Sequence, residues 1–451
     1  MAAWLEKNFG AACCALGAAL SGCGDGKPEA PAPVPMSAAD LSAHHVDALL
    51  DDPEKPAAVE PGRHPRLDMR QALAALRPAD RAAWTDHPPL NLPVHPAETY
   101  LRGWVIALDP GHGGRGLDDP TWKAGPTGVR EAVINLRVAL LLRELLTQAG
   151  ATVALTREGE FSGTADDRIG EGTDAADPRG TLQRRADFAN NLPRPDGGTG
   201  ADLLVSIHHN ASPSPTTNFT SVWFHGPPKP GGGLPFDHPW EVSLDAARHL
   251  ATHVAGELRP VETGKTSPLM SDRQMYDGGF GILRHARVPA VLVEASFFSH
   301  PAEEQRLDDP GYLLREAYGL YRGLCELAYA GRPTQRPPTL EDRTGPAERA
   351  AGTTLLRLRF RLDDGLPDWW GSDLPRTLPS TLEVRVAGQR VAHVHDPATN
   401  TVTADLRVRR LGTAPFDVAI HHQNLFKSSN FPRRYTMTWD PSTATSRATP
   451  R

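Results

Sequence analysis

Two histidines and two glutamates, His112, Glu131, His208 and Glu294, are the residues of this 451-residue chain best suited to chemistry. His112 enters a glycine-rich loop, DPGHGG, straight after the short apolar run Trp104 to Leu108. The pair His208-His209 follows a second apolar run, LLVSI, and Glu294 follows a third, PAVLV. Successive side chains of a strand point to opposite faces, so only one of His208 and His209 can face a common metal. A carboxylate placed directly after a fully buried strand is unusual, because carboxylates are rarely buried without a partner. Two imidazoles and one carboxylate give a tetrahedral zinc three protein ligands and leave a position for water. Bound water then ionises near pH 7, and the remaining carboxylate can take its proton and pass it to a leaving amine. Each residue also has a plainer explanation on its own: Glu131 suits a helix start, where the dipole favours negative charge, and a lone histidine at a strand end is commonly structural. Convergence of all four is what outweighs those explanations.

The elements that must deliver them are readable. Val105 to Leu108 is bounded by Asp109-Pro110-Gly111 and predicts a buried strand, while Ala132 to Ala149 predicts a largely buried helix closed by Gly150. With the strand Ala151 to Leu155 this makes a βαβ unit, which requires a parallel pair. A helix over 182–190, strands over 201–207, 222–224 and 289–293, and helices over 241–258 and 311–328 complete the pattern. The fold class expected is α/β, a mostly parallel sheet flanked by helices. In such a sheet the strand carboxyl ends share one edge, so residues far apart in sequence can meet there. The pair His249 and His253 has chelating i, i+4 spacing, but HLATH lacks the glutamate of a metalloprotease box and lies beside a stripe that must pack.

Composition sets the bounds. The chain is 39% hydrophobic with a net charge of −6, long enough for two or three domains and without a basic block, so nucleic acid is not expected as a partner. Phe9 to Leu20 is an apolar run of small residues too short to span a bilayer, and it leads into Leu-Ser-Gly-Cys ending at Cys23. That resembles the lipobox of bacterial lipoproteins, which implies a signal peptide over 1–23 and lipidation of Cys23. Gly24 follows instead of the aspartate that favours inner-membrane retention, so the resemblance implies a periplasmic protein held at the outer membrane by a lipid anchor. Only Cys325 then remains in the body, as an expected buried thiol. Residues 24–100, rich in proline and alanine, are expected to form a tether with short helices.

Five blocks in order, VIALDPGHGG, GVRE, LQRRADFAN, LLVSIHHN and VPAVLVEASFFSHPAEE, resemble the zinc-dependent N-acetylmuramoyl-L-alanine amidases of the amidase-3 family. The resemblance covers roughly 105–328, within an expected catalytic domain of 101–330. It implies that His112, Glu131 and His208 bind Zn²⁺, that Glu294 is the catalytic acid/base, and that the substrate is peptidoglycan, cut between the lactyl group of N-acetylmuramic acid and L-alanine. HHN stands where HAN is usual, and EASFFSH where ELGFLSN is more frequent. Arg284 matches a frequent family arginine and is a candidate substrate contact. Between Asn210 and Glu294 the sequence shows no additional helix of the kind that covers the zinc in some relatives, so an activator protein is not expected. Alternative readings are a zinc peptidase acting on the stem peptide and a non-enzymatic cell-wall-binding regulator.

After a proline-rich segment, 331–351, expected to be a linker, residues 352–441 change character. Alternating runs at 355–362, 381–386 and 402–408, with further runs at 416–420 and 435–439, predict a small β-sandwich-like domain. AIHHQN at Ala419 echoes SIHHN but sits in this separate β context. A disordered tail is expected over 442–451.

Overall fold

The computed structural model describes residues 92–93, 95–113, 123–158, 178–226, 238–260, 268–366, 376–408 and 414–450. Cys23 and the lipobox lie outside the described residues, as does most of the expected tether. Among the described residues no helix is long and apolar enough to cross a membrane.

The first half of the described chain is built on strands β1 (Val105–Pro110), β2 (Thr152–Leu155), β3 (Leu203–Asn210), β4 (Ser221–Phe224), β5 (Leu269–Ser271) and β6 (Ala290–Phe297). Their order in the sheet is β2-β1-β3-β6-β4-β5. The four strands β2, β1, β3 and β6 run parallel, and β4 is antiparallel to β6. Around them lie α1 (Glu131–Gln148), α2 (Pro178–Asn190), α3 (Trp240–Leu258), α4 (Gly281–His285), α5 (Pro301–Leu307) and α6 (Pro310–Tyr329). This is the mostly parallel α/β sheet the sequence predicts.

Strand parity decides which face each residue serves. Ile106, Leu108, Leu203, Val205, Ile207, Val291 and Val293 pack in one core with α1, α3 and α6. Val105, Ala107, Leu204 and Leu292 pack in a second core with residues of α2 and α4. Both faces are covered, which is why these strands read as continuous apolar runs. Following the same alternation past the last apolar residue, Asp109, His208 and Glu294 fall on the α2/α4 side, whereas His209 falls on the α1/α6 side.

Two five-stranded sheets form the second lobe. One has the order β11-β10-β14-β15-β16; the other has β12-β13-β9-β7, with β8 pairing on β9. The strands are β7 (Thr334–Gln335), β8 (Thr339–Asp342), β9 (Thr354–Asp363), β10 (Glu383–Val386), β11 (Gln389–Arg390), β12 (Val394–Asp396), β13 (Thr401–Val408), β14 (Phe416–His421), β15 (Arg434–Asp440) and β16 (Thr445–Pro450), with a short α7 (Pro346–Ala350). Alternate residues Leu356, Leu358, Phe360 and Leu362 share one core with Val402, Val384, Ile420 and Tyr435. Three expectations are corrected here. The segment 331–351 is not a bare linker, because β7 and β8 both pair with β9. The segment 442–451 is not a free tail, because β16 pairs with β15 along its whole length. The end of the expected tether is docked, with Leu101 fully buried and Glu98 accepting from the Tyr321 hydroxyl of α6 at 2.6 Å. The short strands carry too few apolar residues to show a period: Thr445–Pro450 has mostly exposed side chains, and Leu340 is the one buried residue of β8.

The lobes are fastened by buried polar contacts. Ser429 N–H donates to Asp245 of α3 (2.8 Å), Arg433 pairs with Glu241, and Asn424 Nδ2 donates to the Ala330 carbonyl (2.7 Å). Beside this joint, burial pushes both His421 and His422 down to about 4; the Arg433 charge adds to it, while the Thr334 carbonyl and Asp363 pull His422 the other way. The His422 ring faces the Thr334 carbonyl (3.1 Å) and has no carboxylate among its hydrogen-bond partners, so its echo of the SIHHN block carries no site. A histidine whose pKa is depressed by folding takes up fewer protons folded than unfolded, so its contribution is intact above about 6.5 and is lost as pH falls toward 4. Asp245, raised to about 6 by burial, works the other way, favouring the folded state as pH falls. Glu241, also raised by burial, acts in the same direction as Asp245 but starts from a lower value than the histidines, so between pH 7 and pH 5 the two histidines outweigh the carboxylates and the joint should weaken on acidification. Thermal melts at pH 7 and pH 5 should show a drop in melting temperature that is smaller in His422→Gln, whose amide can still donate to Thr334.

Candidate active site

At the carboxyl edge of the sheet three side chains meet. Glu131 is the first residue of α1, and its Oε1 lies 3.2 Å from His112 Nε2 and 3.0 Å from His208 Nδ1. Ligand atoms from all three residues lie within 4.8 Å of one another, the one such group among the described residues. Ligands about 2.0–2.1 Å from a tetrahedral zinc stand roughly 3.3 Å apart, so these spacings fit a common cation, and the donor set of two imidazoles and a carboxylate fits zinc. The histidine rings stand perpendicular, with centroids 4.7 Å apart.

The backbone around His112 is unusual and its causes are visible. His112 has φ +61 and Gly113 φ +103, a conformation that a β-branched residue would resist. Two buried arginines hold the loop. Arg157 donates from Nε to the Pro110 carbonyl and from Nη2 to the carbonyls of Gly111 and Ala132, all at 2.8 Å. Arg185 of α2 reaches the Pro110 carbonyl (3.1 Å) and the His112 carbonyl (2.7 Å), and pairs with Asp109 at 2.9 Å. Asp109 also accepts from Thr156 Oγ1 (2.6 Å) and Ser206 Oγ (2.7 Å). Burial works to raise the Asp109 pKa, but Arg185 and the two hydroxyls hold it below the usual range.

Glu131 is equally well supported. Its Oε1 accepts from the His209 backbone N–H (3.2 Å) and from Asn135 Nδ2 (3.4 Å), and Lys123 Nζ stands 3.4 Å from Oε2. Although burial opposes ionisation, His112 and His208 hold its pKa well below the ordinary value. His208 is lowered by burial, partly offset by Glu131, which favours the neutral imidazole that ligates metal. His209 is buried on the other face between Asn135 Oδ1 (2.8 Å) and Glu316 Oε2 of α6 (2.9 Å). Asn135 in turn donates to the Gly111 carbonyl at 3.2 Å. A chain of buried polar groups thus ties α6 to α1 and to the loop, fixing the position of Glu131.

Glu294 is the register partner of His208 across β3 and β6, so both side chains leave the same face of the sheet side by side. Its Oε2 is buried and has no hydrogen-bond partner. Burial first and the Glu131 charge second push Glu294 up to about 8, with Lys123 and His112 pulling the other way. Tyr276 stands nearby, its hydroxyl pushed up by burial and by the Glu294 charge. Arg284 is exposed on α4 and donates to the Gly278 carbonyl (2.8 Å).

All four candidates therefore come together, His112, Glu131 and His208 as one cluster and Glu294 beside it. The supporting residues Asn135, Arg157, Arg185, His209 and Glu316 escape a reading based on ligand types, because an arginine or asparagine in a helix or loop resembles a surface residue. The LQRRADFAN block carried the signal for Arg185, and the doubled histidine carried it for His209.

The fold and site define a mostly parallel α/β domain with a His-Glu-His group that could hold a metal and a second carboxylate, pushed up by burial, at its carboxyl edge. Residues 106–326 match the Amidase_3 family, described as N-acetylmuramoyl-L-alanine amidase. The germination-specific N-acetylmuramoyl-L-alanine amidase of Bacillus subtilis (strain 168) is 27% identical over 224 residues, 50% of this chain and 79% of that protein. The probable cell wall amidase LytH of Staphylococcus saprophyticus is 26% identical over 231 residues, 51% of this chain and 60% of LytH. Among solved structures, the CwlD amidase from Clostridioides difficile, in complex with the GerS lipoprotein, is 23% identical and aligns over 50% of this chain and 98% of its own, with a TM-score of 0.38. These matches cover about half of this chain.

Proposed function

We propose that this protein is a zinc-dependent N-acetylmuramoyl-L-alanine amidase that hydrolyses peptidoglycan outside the cytoplasm. The observation that carries the reading is the meeting of His112, Glu131 and His208 within 4.8 Å beside a half-buried Glu294 whose buried Oε2 has no hydrogen-bond partner. The family match over 106–326 and the names of the relatives, a germination-specific N-acetylmuramoyl-L-alanine amidase and a probable cell wall amidase, support the bond and the substrate. His112, Glu131 and His208 would hold the zinc. When bound, that ion supplies Lewis-acid polarisation of the scissile carbonyl and an acidified water at neutral pH.

The chain's own residues do the remaining work. Arg157 and Arg185 fix the His112 loop, and Asn135 with the His209 backbone N–H orients Glu131, so the ligands need little rearrangement. Glu294 takes a proton from the attacking water and delivers it to the amide nitrogen as the C–N bond breaks. The products are a lactyl carboxylate on the glycan and a stem peptide with a free L-alanine amine. Burial and the Glu131 charge push Glu294 up to about 8, and a dication held by His112, Glu131 and His208 would draw it toward neutrality, where a group serves as base and then as acid. A lipid anchor at Cys23 and attachment to the outer membrane belong to the same proposal, on the lipobox resemblance.

Between Asn210 and Glu294 the described elements are β4, α3, β5 and α4 with one short turn, and we read the site as open without an activator. The full chain incubated alone with purified peptidoglycan should release stem peptides beginning in L-alanine, leave glycan strands unbroken, and stop when a chelator is added, as read by mass spectrometry. Shortened peptides still joined to glycan would establish a peptidase instead. Release only after a partner protein is supplied would overturn the open-site reading.

A further inference from the structure

The scissile bond has one direction across the sheet edge. Its carbonyl belongs with His112, Glu131 and His208, and its nitrogen with Glu294, which returns a proton to it. The strands run in the order β1, β3, β6, β4, so the ligands carried by β1 and β3 stand on one side of Glu294 and β4 stands on the other. The lactyl half of the substrate therefore lies toward β1, and the stem peptide passes over Glu294 toward β4.

An aromatic row waits on the β4 side. Ser221 and Trp223 are the register partners of Glu294 and Leu292, so all four side chains leave the α2/α4 face of the sheet. Trp223 Nε1 donates to Ser221 Oγ at 3.0 Å. Phe280 stands edge-on to Trp223, with ring centroids 5.6 Å apart, and Tyr276 stands edge-on to Phe280 at 5.5 Å. Trp223 is buried and Phe280 half-buried, whereas Tyr276, at the end of the row, is 43% exposed. Its hydroxyl makes no hydrogen bond among the described residues. Burial and the Glu294 charge raise its pKa, with Lys123 pulling the other way, so it remains a neutral donor within electrostatic reach of both groups.

A single exposed tyrosine is ordinary on a protein surface. The bracing of its backbone is not. Asp272 is fully buried, accepts from the Phe280 N–H at 2.8 Å and faces His225 Nδ1 at 3.0 Å. Tyr276 N–H donates to the Asp272 carbonyl (3.0 Å), and the Tyr276 carbonyl accepts from Gly279 N–H (2.9 Å). Arg273 Nε donates to the Asp277 carbonyl (3.1 Å) and Arg284 Nη1 to the Gly278 carbonyl (2.8 Å). The loop closes so tightly around the Asp272 carboxylate that a Cβ on Gly279 would stand 2.4 Å from Oδ2. A ring carried on such a loop is already ordered, so contact with a ligand costs little conformational freedom.

We propose that Tyr276 is a specificity-determining residue that receives the stem peptide: its ring packs against L-alanine and the residue after it, and its hydroxyl donates to a carboxylate oxygen of that second residue. The direction of the peptide rests on the amidase reading; the exposed ring and its unused donor do not. The positive charge of Lys123, which reaches the same hydroxyl, favours an anionic oxygen there.

Two measurements on the zinc-loaded full chain test this. Calorimetry with the free stem peptide beginning in L-alanine needs no turnover. Tyr276→Ala should weaken that binding about 10-fold, the scale of one lost apolar contact or hydrogen bond, and Tyr276→Phe, which keeps the ring, should recover part of the loss. Turnover then assigns the side. Replacing an N-acetylmuramoyl peptide by N-acetylmuramoyl-L-alanine amide should cost the wild type about 10-fold in kcat/KM and cost Tyr276→Ala almost nothing, because the contact made by the missing residues is already gone. Removing the sugar, to leave a lactyl peptide, should cost both proteins equally. A Tyr276→Ala variant that keeps the preference for the longer peptide, or loses the preference for the sugar instead, would overturn the proposal. If the wild type cleaved none of these substrates, the amidase reading would fail by itself. Calorimetry would still decide the role of Tyr276, since equal binding of the peptide by wild type and Tyr276→Ala would refute it.

Discussion

Glu294→Gln should lower turnover on peptidoglycan by about 10³-fold, within the 10²–10⁴ range of general acid–base catalysis, and leave the zinc content unchanged. The substitution keeps size and shape, so the packing of β6 is preserved and only the ability to take up and release a proton is lost. Glu294 is set apart from the metal ligands by its surroundings. Glu131 lies between two imidazoles and is held ionised, whereas Glu294 has a buried oxygen with no hydrogen-bond partner and is pushed up to about 8. Two carboxylates with affinities driven apart by their surroundings suit different jobs: the ionised one is fit to ligate, and the other is the one we propose moves protons. The measurement pairs single-turnover release of stem peptide with elemental analysis of bound zinc. If Glu294→Gln lost the zinc, Glu294 would be a ligand; if it kept full turnover, proton transfer would lie elsewhere.

The position of Glu294 was legible because buried strands make carboxylates conspicuous. PAVLV followed by a glutamate leaves a charge at the end of an apolar run, and the same logic found His112 and His208. Parity then settles what the doubled histidine leaves open. Since Ile207 packs toward α1 and α6, His208 must face the other way and His209 must follow Ile207. The bonds of His209 to Asn135 and Glu316 bear this out. Less legible was anything whose meaning depends on a distant partner. Arg157 and Arg185 look like ordinary helix-flanking or surface charges until the loop carbonyls of 110–112 are placed against them. In the second lobe the long strands β9 and β13 announce themselves by alternation, while β7, β8 and β16 are short or exposed. Their pairing comes from neighbours and not from their own pattern.

The buried arginines also explain why the site can be assembled on a loop. Removing a backbone carbonyl from water costs free energy unless it is hydrogen-bonded, and a tight turn cannot satisfy its own carbonyls. The guanidinium groups of Arg157 and Arg185 satisfy the carbonyls of Pro110, Gly111 and His112, and the Asp109 carboxylate balances Arg185. A loop held at three consecutive carbonyls has little freedom, so the His112 ring is placed before any cation arrives.

Gly111→Ala tests that placement most severely, and it should cost zinc affinity and at least about 10²-fold in turnover, the scale of a ligand displaced by an ångström. Gly111 does not have the positive φ of its neighbours His112 and Gly113, so alanine is no backbone strain there. The obstacle is space. A Cβ on Gly111 would stand 2.2 Å from His208 Cε1, 2.3 Å from Nε2 and 2.5 Å from Nδ1, that is, inside the ring of a metal ligand. Gly111 N–H is bonded to the Ile207 carbonyl at 2.9 Å and its own carbonyl to Arg157, so the backbone cannot retreat. The His208 ring must move instead, away from Glu131. Overpacking of this kind costs about 1–3 kcal/mol, which a domain of this size survives, so the variant should still melt cooperatively. Zinc content, turnover and melting temperature measured together separate the outcomes. Loss of zinc with a retained fold places the His208 ring against Gly111 as a metal ligand, whereas wild-type zinc and turnover would mean that the ring does not sit there in the working enzyme.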